Sequence, residues 1–427
     1  MDWTIKPVKQ LKGEISVPAD KSITHRAVII SAVASGTSVI KNYLDAEDCL
    51  RTVKAFQDMG VKISKNGSTL TVEGAGSKGL RKPAGDIYAG NSGTTVRLLS
   101  GILAAQSFAS RFTGDESLSK RPMKRIIEPL SRMGAKISAR EGNFLPLEIA
   151  GTPGLKPLDY SSVVASAQVK SCVLFAGLAA DGVTSVTEPV RSRDHTERML
   201  KARGADITVD GLKVSVRGPA KLSKLDITIP GDISSAAFFL VLAAVSRSAK
   251  IRIRNVGVNP TRDGILEVLK KMNSRVILTN RRDVSGEPVA DIETESSGLL
   301  PFEINEDLIP RLVDEIPALV LAATQANGTS IITGAGELRV KESDRLSAIT
   351  SELNKMGASI EEKEDGLVIR GHTKLKGAVV ESYGDHRIAM TLAVAGLVAE
   401  GETIIRNIDC VNTSFPGFLD KIAEISI

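Results

Sequence analysis

Residues 32–40 read AVASGTSVI: an alanine-rich apolar run, a glycine, then a β-branched run. Nearly the same string returns as GLAADGVTSV (177–186), ATQANGTSII (323–332) and GLVAEGETII (396–405). The glycines stand at 36, 182, 328 and 401, separated by 146, 146 and 73 residues, so the underlying period is 73. Internal repetition of this kind decides the architecture before any single motif does. Copies without the glycine are expected near 109 and 255, where GILAAQSFASRFTG (101–114) and VLAAVSRSAKIRIRN (241–255) keep the pattern. The glycine reads as a left-handed cap on the helix before the chain turns into a strand.

A second unit interleaves with the first: a charged helix, a cap and a strand. Its copies are CLRTVKAFQDMGVKI (49–63), MKRIIEPLSRMGAKI (123–137), HTERMLKARGADI (195–207), ILEVLKKMNSRVI (265–277) and RLSAITSELNKMGASI (345–360), with GFLDKIAEI (417–425) as a truncated sixth. The first helix type is apolar nearly all round, which predicts a core position. The second keeps one polar face, which predicts an outer one. Six such units exceed one comfortable core, so the spacing predicts an α/β chain of two lobes with three repeats each. Lobe one is expected over 20–228 and lobe two over 1–19 with 229–427. The hinges fall near 18–20 and 229–232, in the similar turns VPAD and IPGD.

Composition narrows the function. The chain has 427 residues, 42% of them hydrophobic, and a formal net charge of +5, which suits a globular protein with an anionic partner. Aromatic residues are only 4%, so stacking surfaces for bases are scarce and nucleic acid is not the expected partner. Cys49, Cys172 and Cys410 are scattered and odd in number, as in a reducing cytoplasm. The histidines form no ligand-spaced cluster with them, so neither a metal nor another cofactor is expected. No charge-free apolar stretch reaches about 18 residues, and no basic-apolar leader precedes WTIKPVKQLKGEISV (3–17). A cytoplasmic monomer without membrane contact is the expectation.

The helix starts carry the chemistry. The helix in PADKSITHR (18–26) opens with Lys21 and, one turn on, Arg26; Arg97 closes AGNSGTTVR (89–97), and Arg121, Arg193, Lys341, Arg345 and Arg387 lie at other starts. A helix N-terminus is positive, so cations placed there need an anion to justify them. Exposed N–H groups beside small residues such as Gly90, Ser92, Gly93 and Thr94 already suit one. A single such cation is ordinarily a solvated side chain, and Asp20, Asp194 and Asp344 are ordinary cap candidates. Repetition changes the weight, because repeated units put equivalent starts on equivalent faces and the basic starts are expected to converge on one cleft. Two acids stand in this basic set, Asp314 in RLVDEIPAL (311–319) and Glu342 in RVKESDRL (339–346). As an alternative, Asp314 caps a helix and Glu342 pairs with Lys341 or Arg345. A carboxylate in an anion site otherwise implies proton transfer or a hydroxyl partner. Together these residues predict acid–base chemistry on small phosphorylated carboxylates.

ADKSITHR (19–26), AGNSGTTVR (89–97), SLSKRPM (117–123), SAQVKS (166–171), SRDHTERM (192–199), RVKESDRL (339–346) and YGDHRIAM (383–390) resemble, in order, the motifs of the 5-enolpyruvylshikimate-3-phosphate synthase family. The resemblance implies a two-lobed inside-out α/β assembly. It also implies transfer of the enolpyruvyl group of phosphoenolpyruvate to the 5-hydroxyl of shikimate 3-phosphate, with release of phosphate. On this resemblance Lys21, Ser22, Arg26, Ser166, Ala167, Gln168, Arg193, Asp314 and Lys341 serve shikimate 3-phosphate. Lys21, Gly93, Arg121, Gln168, Arg345 and Arg387 serve phosphoenolpyruvate. Each substrate pairs a carboxylate with a phosphate of about −1.5 to −2, to be met by the cations among these residues. Asp314 is expected as the base toward the hydroxyl, and either Glu342 or Lys21 as the group that protonates the methylene carbon. The sister family, which uses UDP-N-acetylglucosamine, usually has a cysteine in the loop matching SLSKRPM, and here no cysteine lies between Cys49 and Cys172. Ala167, Ser92, Leu98 and Thr413 stand where the enteric and plant form has Ser, Ala, Pro and Lys. These features resemble the bacterial class with reduced glyphosate sensitivity, while Gly93 keeps the space the inhibitor needs.

Overall fold

The computed structural model describes all residues from 1 to 427. The chain divides into two compact units, one formed by Met1–Pro18, Pro230–Asp283 and Pro288–Ile427, the other by Ala19–Ile229 and Val284–Glu287. Each has its own apolar core. No helix is long and apolar enough to cross a membrane.

Within each unit the alanine-rich helices are inside. Lys21–Val33, Gly93–Ala104 and Ala167–Gly177 fill one core; Ile233–Val245, Ile316–Thr324 and His386–Val398 fill the other. They are short of charge around the whole circumference, so every face can be covered. The amphipathic helices Glu47–Asp58, Lys124–Arg132, His195–Ala202, Gly264–Lys271 and Arg345–Lys355 keep exposed polar residues, as their sequences predict. All five end alike. In the first, Gly60 N–H donates to the Gln57 carbonyl at 3.0 Å and Val61 N–H to that of Phe56 at 3.0 Å. This is a Schellman closure, and the left-handed residue it needs is Gly60, Gly134, Gly204, Asn273 or Gly357.

Six small sheets match the six repeats. In the second, Ile87–Tyr88 and Ser110–Thr113 run parallel on either side of their inner helix, and the hairpin Ile137–Arg140 with Phe144–Ile149 completes the sheet. The first and fourth repeats exchange one strand. Leu11–Ser16, which precedes the first inner helix, pairs in parallel with Ala249–Gly257. Ile227–Thr228, which precedes the fourth, pairs in parallel with Ser35–Lys41. The sixth repeat lacks a hairpin after its outer helix, and Trp3–Ile5 pairs antiparallel with Thr403–Arg406 instead.

The repeat glycines act differently from the expected helix cap. Gly36, Gly182, Gly328 and Gly401 do have positive φ, between 91° and 137°, but none closes a helix: Gly182 and Gly328 open their strands, Gly36 is the second residue of its strand, and Gly401 stands two residues before Thr403–Arg406. The first inner helix ends at Val33 with an extended Ala34, so its glycine is already part of the strand. At Gly328 a Cβ would stand 3.0 Å from the Pro301 ring, which explains the absence of a side chain. The copy expected near 109 lies at the start of Ser110–Thr113. In the fourth repeat the strand opens earlier than 255, at Ala249, because Ser246 caps the helix in extended form and only Arg247 and Ser248 intervene.

Candidate active site

In the unit containing Ala19–Ile229, Asp20 caps the first inner helix, accepting the Ile23 N–H at 2.8 Å. The capped turn therefore presents Lys21 and Ser22 at its mouth. The Lys21 ammonium is 3.1 Å from Asp48. Side chains on a helix lean toward its N-terminus, so Arg26, one turn on, reaches back to the Ser22 carbonyl at 3.1 Å. Its guanidinium is more enclosed than a substrate-facing cation needs to be, at 2% exposure. Nε donates to Thr196 at 2.7 Å and Nη2 to Ser171 at 2.9 Å, so Arg26 also braces the first inner helix against the third. Arg193 Nη1 donates to Ser22 Oγ at 3.3 Å, which brings Lys21, Ser22, Arg26 and Arg193 to one helix mouth. Beside them, burial and then the charges of Lys21 and Arg26 lower the His25 pKa well below its ordinary value and hold the ring neutral.

The second and third inner helices start alongside each other. Ser92 and Ser166 are their caps, accepting from Thr95 and Val169 N–H at 3.2 and 3.4 Å. Gln168 accepts from Arg97 at 2.8 Å and donates to Thr94 at 3.0 Å, which fixes its amide between the two helix starts. Arg121 donates to the Asn91 carbonyl at 3.2 Å and to Ser117 at 3.0 Å. A Cβ on Gly93 would stand 2.9 Å from Arg97 Nη1 and 3.7 Å from Arg121 Nη1, so two guanidinium groups flank the bare first turn. Ala167 contributes its carbonyl, which accepts from Ser171 Oγ.

In the other unit the acids and the remaining cations gather around Arg345, which is 1% exposed. Nε donates to Asp385 at 2.8 Å, Nη1 to Asp314 at 3.3 Å and Nη2 to Glu342 at 2.6 Å. Burial opposes its charge, but Asp385, Glu342 and Asp314 outweigh that and raise its pKa above the ordinary arginine value. Arg387 donates to the Asp314 carbonyl at 3.1 Å, and its Nε lies 3.5 Å from the Asp314 carboxylate. Lys341 pairs with Glu337 at 3.3 Å.

Two of the simpler alternatives therefore change. Asp314 caps no helix; Glu315 precedes Ile316–Thr324, and the Asp314 carboxylate turns to the two arginines instead. Glu342 does pair with Arg345, as the local alternative has it, but so do Asp314 and Asp385. Asp20 and Asp344 cap their helices, whereas Asp194 binds Arg198 at 2.9 Å and caps nothing.

Asp385 and Asp48 are absent from the residues singled out in the sequence. Asp385 announces itself only as a cap, since its place before HRIAM matches that of Asp232 before ISSAA in IPGD. Asp48 carries no signal, being one acid among several at a helix start.

The two units, each built on three buried inner helices, have the enolpyruvyl transferase class of fold. The enolpyruvyl transferase NikO from Streptomyces tendae shares it, with a TM-score of 0.79 over 99% of this chain and 96% of its own, at 18% identity. An EPSP synthase structure from Acinetobacter baumannii matches with a TM-score of 0.89 and 46% identity, over 100% of this chain and 98% of that one. The model of the EPSP synthase (3-phosphoshikimate 1-carboxyvinyltransferase) family matches residues 5–422. The 3-phosphoshikimate 1-carboxyvinyltransferases of Endomicrobium trichonymphae and Geobacillus kaustophilus are 56% and 54% identical, covering 100% and 98% of both chains. The chain belongs to the EPSP synthase family.

Proposed function

We propose that the chain transfers the enolpyruvyl group of phosphoenolpyruvate to the 5-hydroxyl of shikimate 3-phosphate. The observation that carries this reading is the pairing of Asp314 and Glu342 on one buried, permanently charged Arg345. Two carboxylates held by one cation can act as separate proton carriers without repelling an anionic substrate as a bare pair would.

Lys21, Ser22, Arg26, Ser166, Ala167, Gln168, Arg193, Asp314 and Lys341 hold shikimate 3-phosphate in this reading. Lys21, Gly93, Arg121, Gln168, Arg345 and Arg387 hold phosphoenolpyruvate. Asp314 takes the proton of the 5-hydroxyl as its oxygen attacks C2 of phosphoenolpyruvate. Glu342 or Lys21 delivers a proton to C3, giving a tetrahedral phospho-lactyl intermediate. Loss of a C3 proton to the same group re-forms the double bond as the C–O bond to phosphate breaks. C3 ends with as many protons as it began with, and the proton taken by Asp314 passes to the departing phosphate, which restores the carboxylate.

The enzyme works as a cytoplasmic monomer in this proposal, and Ala167, Ser92, Leu98 and Thr413 support assigning it to the bacterial class of reduced glyphosate sensitivity. Phosphate release from phosphoenolpyruvate tests the activity. Release with shikimate 3-phosphate and none with UDP-N-acetylglucosamine is the expected result; release with the nucleotide sugar alone would overturn the acceptor.

A further inference from the structure

Lys170 lies in the first turn of the inner helix Ala167–Gly177 and is 2% exposed. Its ammonium is 2.8 Å from Glu188 and 2.8 Å from Glu197, both buried. Enclosing three charges carries a desolvation penalty that an apolar trio of similar volume would avoid, so stability alone does not account for them. Glu188 shows what the charges hold. One of its oxygens accepts the Ser166 N–H at 3.0 Å; the other accepts the Ser192 hydroxyl at 2.8 Å and the Ser192 N–H at 3.3 Å. Lys170 donates to the Ser192 carbonyl at 3.4 Å. One carboxylate thus ties the turn carrying Ser166, Ala167 and Gln168 to the turn carrying Arg193. Glu197, the third member, adjoins Thr196, which accepts from Arg26 Nε.

We infer that Lys170 and Glu188 are positioning residues for shikimate 3-phosphate, setting the distance between the Ser166–Gln168 turn and Arg193. The inference rests on the function proposed above. Neither side chain touches substrate; the pair acts through the backbone of Ser166 and of Ser192. The two nearby glutamates outweigh burial in raising the Lys170 pKa, which keeps the ammonium charged.

The test compares the wild-type enzyme with Glu188→Gln, Lys170→Arg and the uncharged triple variant Lys170→Met, Glu188→Gln, Glu197→Gln. A glutamine fills the same volume but offers one acceptor oxygen, so it cannot serve both turns. Glu188→Gln and the triple variant should raise KM for shikimate 3-phosphate about tenfold, the worth of one charged hydrogen bond. KM for phosphoenolpyruvate should rise less, by no more than about threefold, because Gln168, which is assigned to both substrates, is also held by Arg97 and Thr94; Lys170→Arg should remain near wild type in both. The triple variant should keep the wild-type urea midpoint, so it remains informative if the single substitution does not fold. A folded triple variant with unchanged KM for shikimate 3-phosphate would overturn the inference. So would both KM values rising together with a lowered midpoint, the mark of general loosening. If wild type releases no phosphate with shikimate 3-phosphate, the proposed function falls first and the positioning role falls with it.

Discussion

Arg345 and Asp385 form an ion pair at 2.8 Å in which neither side chain is more than 1% exposed. The pair sits behind the candidate acids: Arg345 donates to Asp314 and Glu342, while Asp385 caps the helix that carries Arg387, accepting the Arg387 N–H at 2.8 Å. Asp385 therefore orients both arginines assigned to phosphoenolpyruvate in that unit. Asp385→Ala leaves the guanidinium buried with less compensation and removes a cap. A loss of about 3–5 kcal/mol in urea unfolding is expected, with a higher KM for phosphoenolpyruvate. Stability within 1 kcal/mol of wild type, roughly the value of an exposed pair, would contradict a structural role.

Gly93→Ala tests the bare helix start. Alanine suits a helix, but its methyl would meet Arg97 Nη1 at 2.9 Å and approach Arg121. Arg97 is flexible enough to yield, so the protein should fold while KM for phosphoenolpyruvate rises about tenfold, with KM for shikimate 3-phosphate little changed. Equal effects on both substrates would move Gly93 out of its assigned half.

The repeat glycines separate crowding from backbone strain. Gly328 has φ +137° and Pro301 at 3.0 Å from a built Cβ; Gly401 has φ +91° and no atom within 4 Å. Gly401→Ala should cost about 1–2 kcal/mol from conformation alone, and Gly328→Ala clearly more. Thermal unfolding of the two variants gives the order; the reverse order would show that packing against Pro301 does not restrict the site.

Acid stability has an identifiable contributor in Asp291. Burial pushes its pKa up, but the Asn255 N–H, Asn280 and Arg252 outweigh it and hold the carboxyl down to about 2. A folded value below the unfolded value of about 3.9 gives stability that is present above the unfolded value and lost as pH falls through the folded one. Asp291→Asn should therefore be less stable near neutrality by about 2 kcal/mol, and its urea midpoint should fall less steeply between about pH 4 and pH 2. Parallel pH curves for the two proteins would exclude this contribution.

The period of 73 made the six-fold architecture readable, because helices apolar on every side and helices with one polar face cannot exchange places. The Schellman caps were equally legible, since each requires a residue that tolerates positive φ. The strand exchange between Leu11–Ser16 and Ile227–Thr228 was less so: strand partners depend on where the chain crosses, and both segments look like ordinary β runs. The cations at the helix starts stood out against the macrodipole. The acids that hold them did not. Asp385, Glu188 and Asp48 sit in charged stretches where a buried carboxylate and a solvated one have the same letters.

Proton transfer to carbon is the step on which the roles of Asp314, Glu342 and Lys21 depend, and product formed in D2O tests it most directly. With phosphoenolpyruvate and shikimate 3-phosphate, mass and proton spectra of the product should show deuterium in the enolpyruvyl methylene group. A product that forms at the normal rate with a fully protiated methylene would mean that C3 is never protonated, which contradicts addition and elimination and leaves Glu342 and Lys21 without their proposed step.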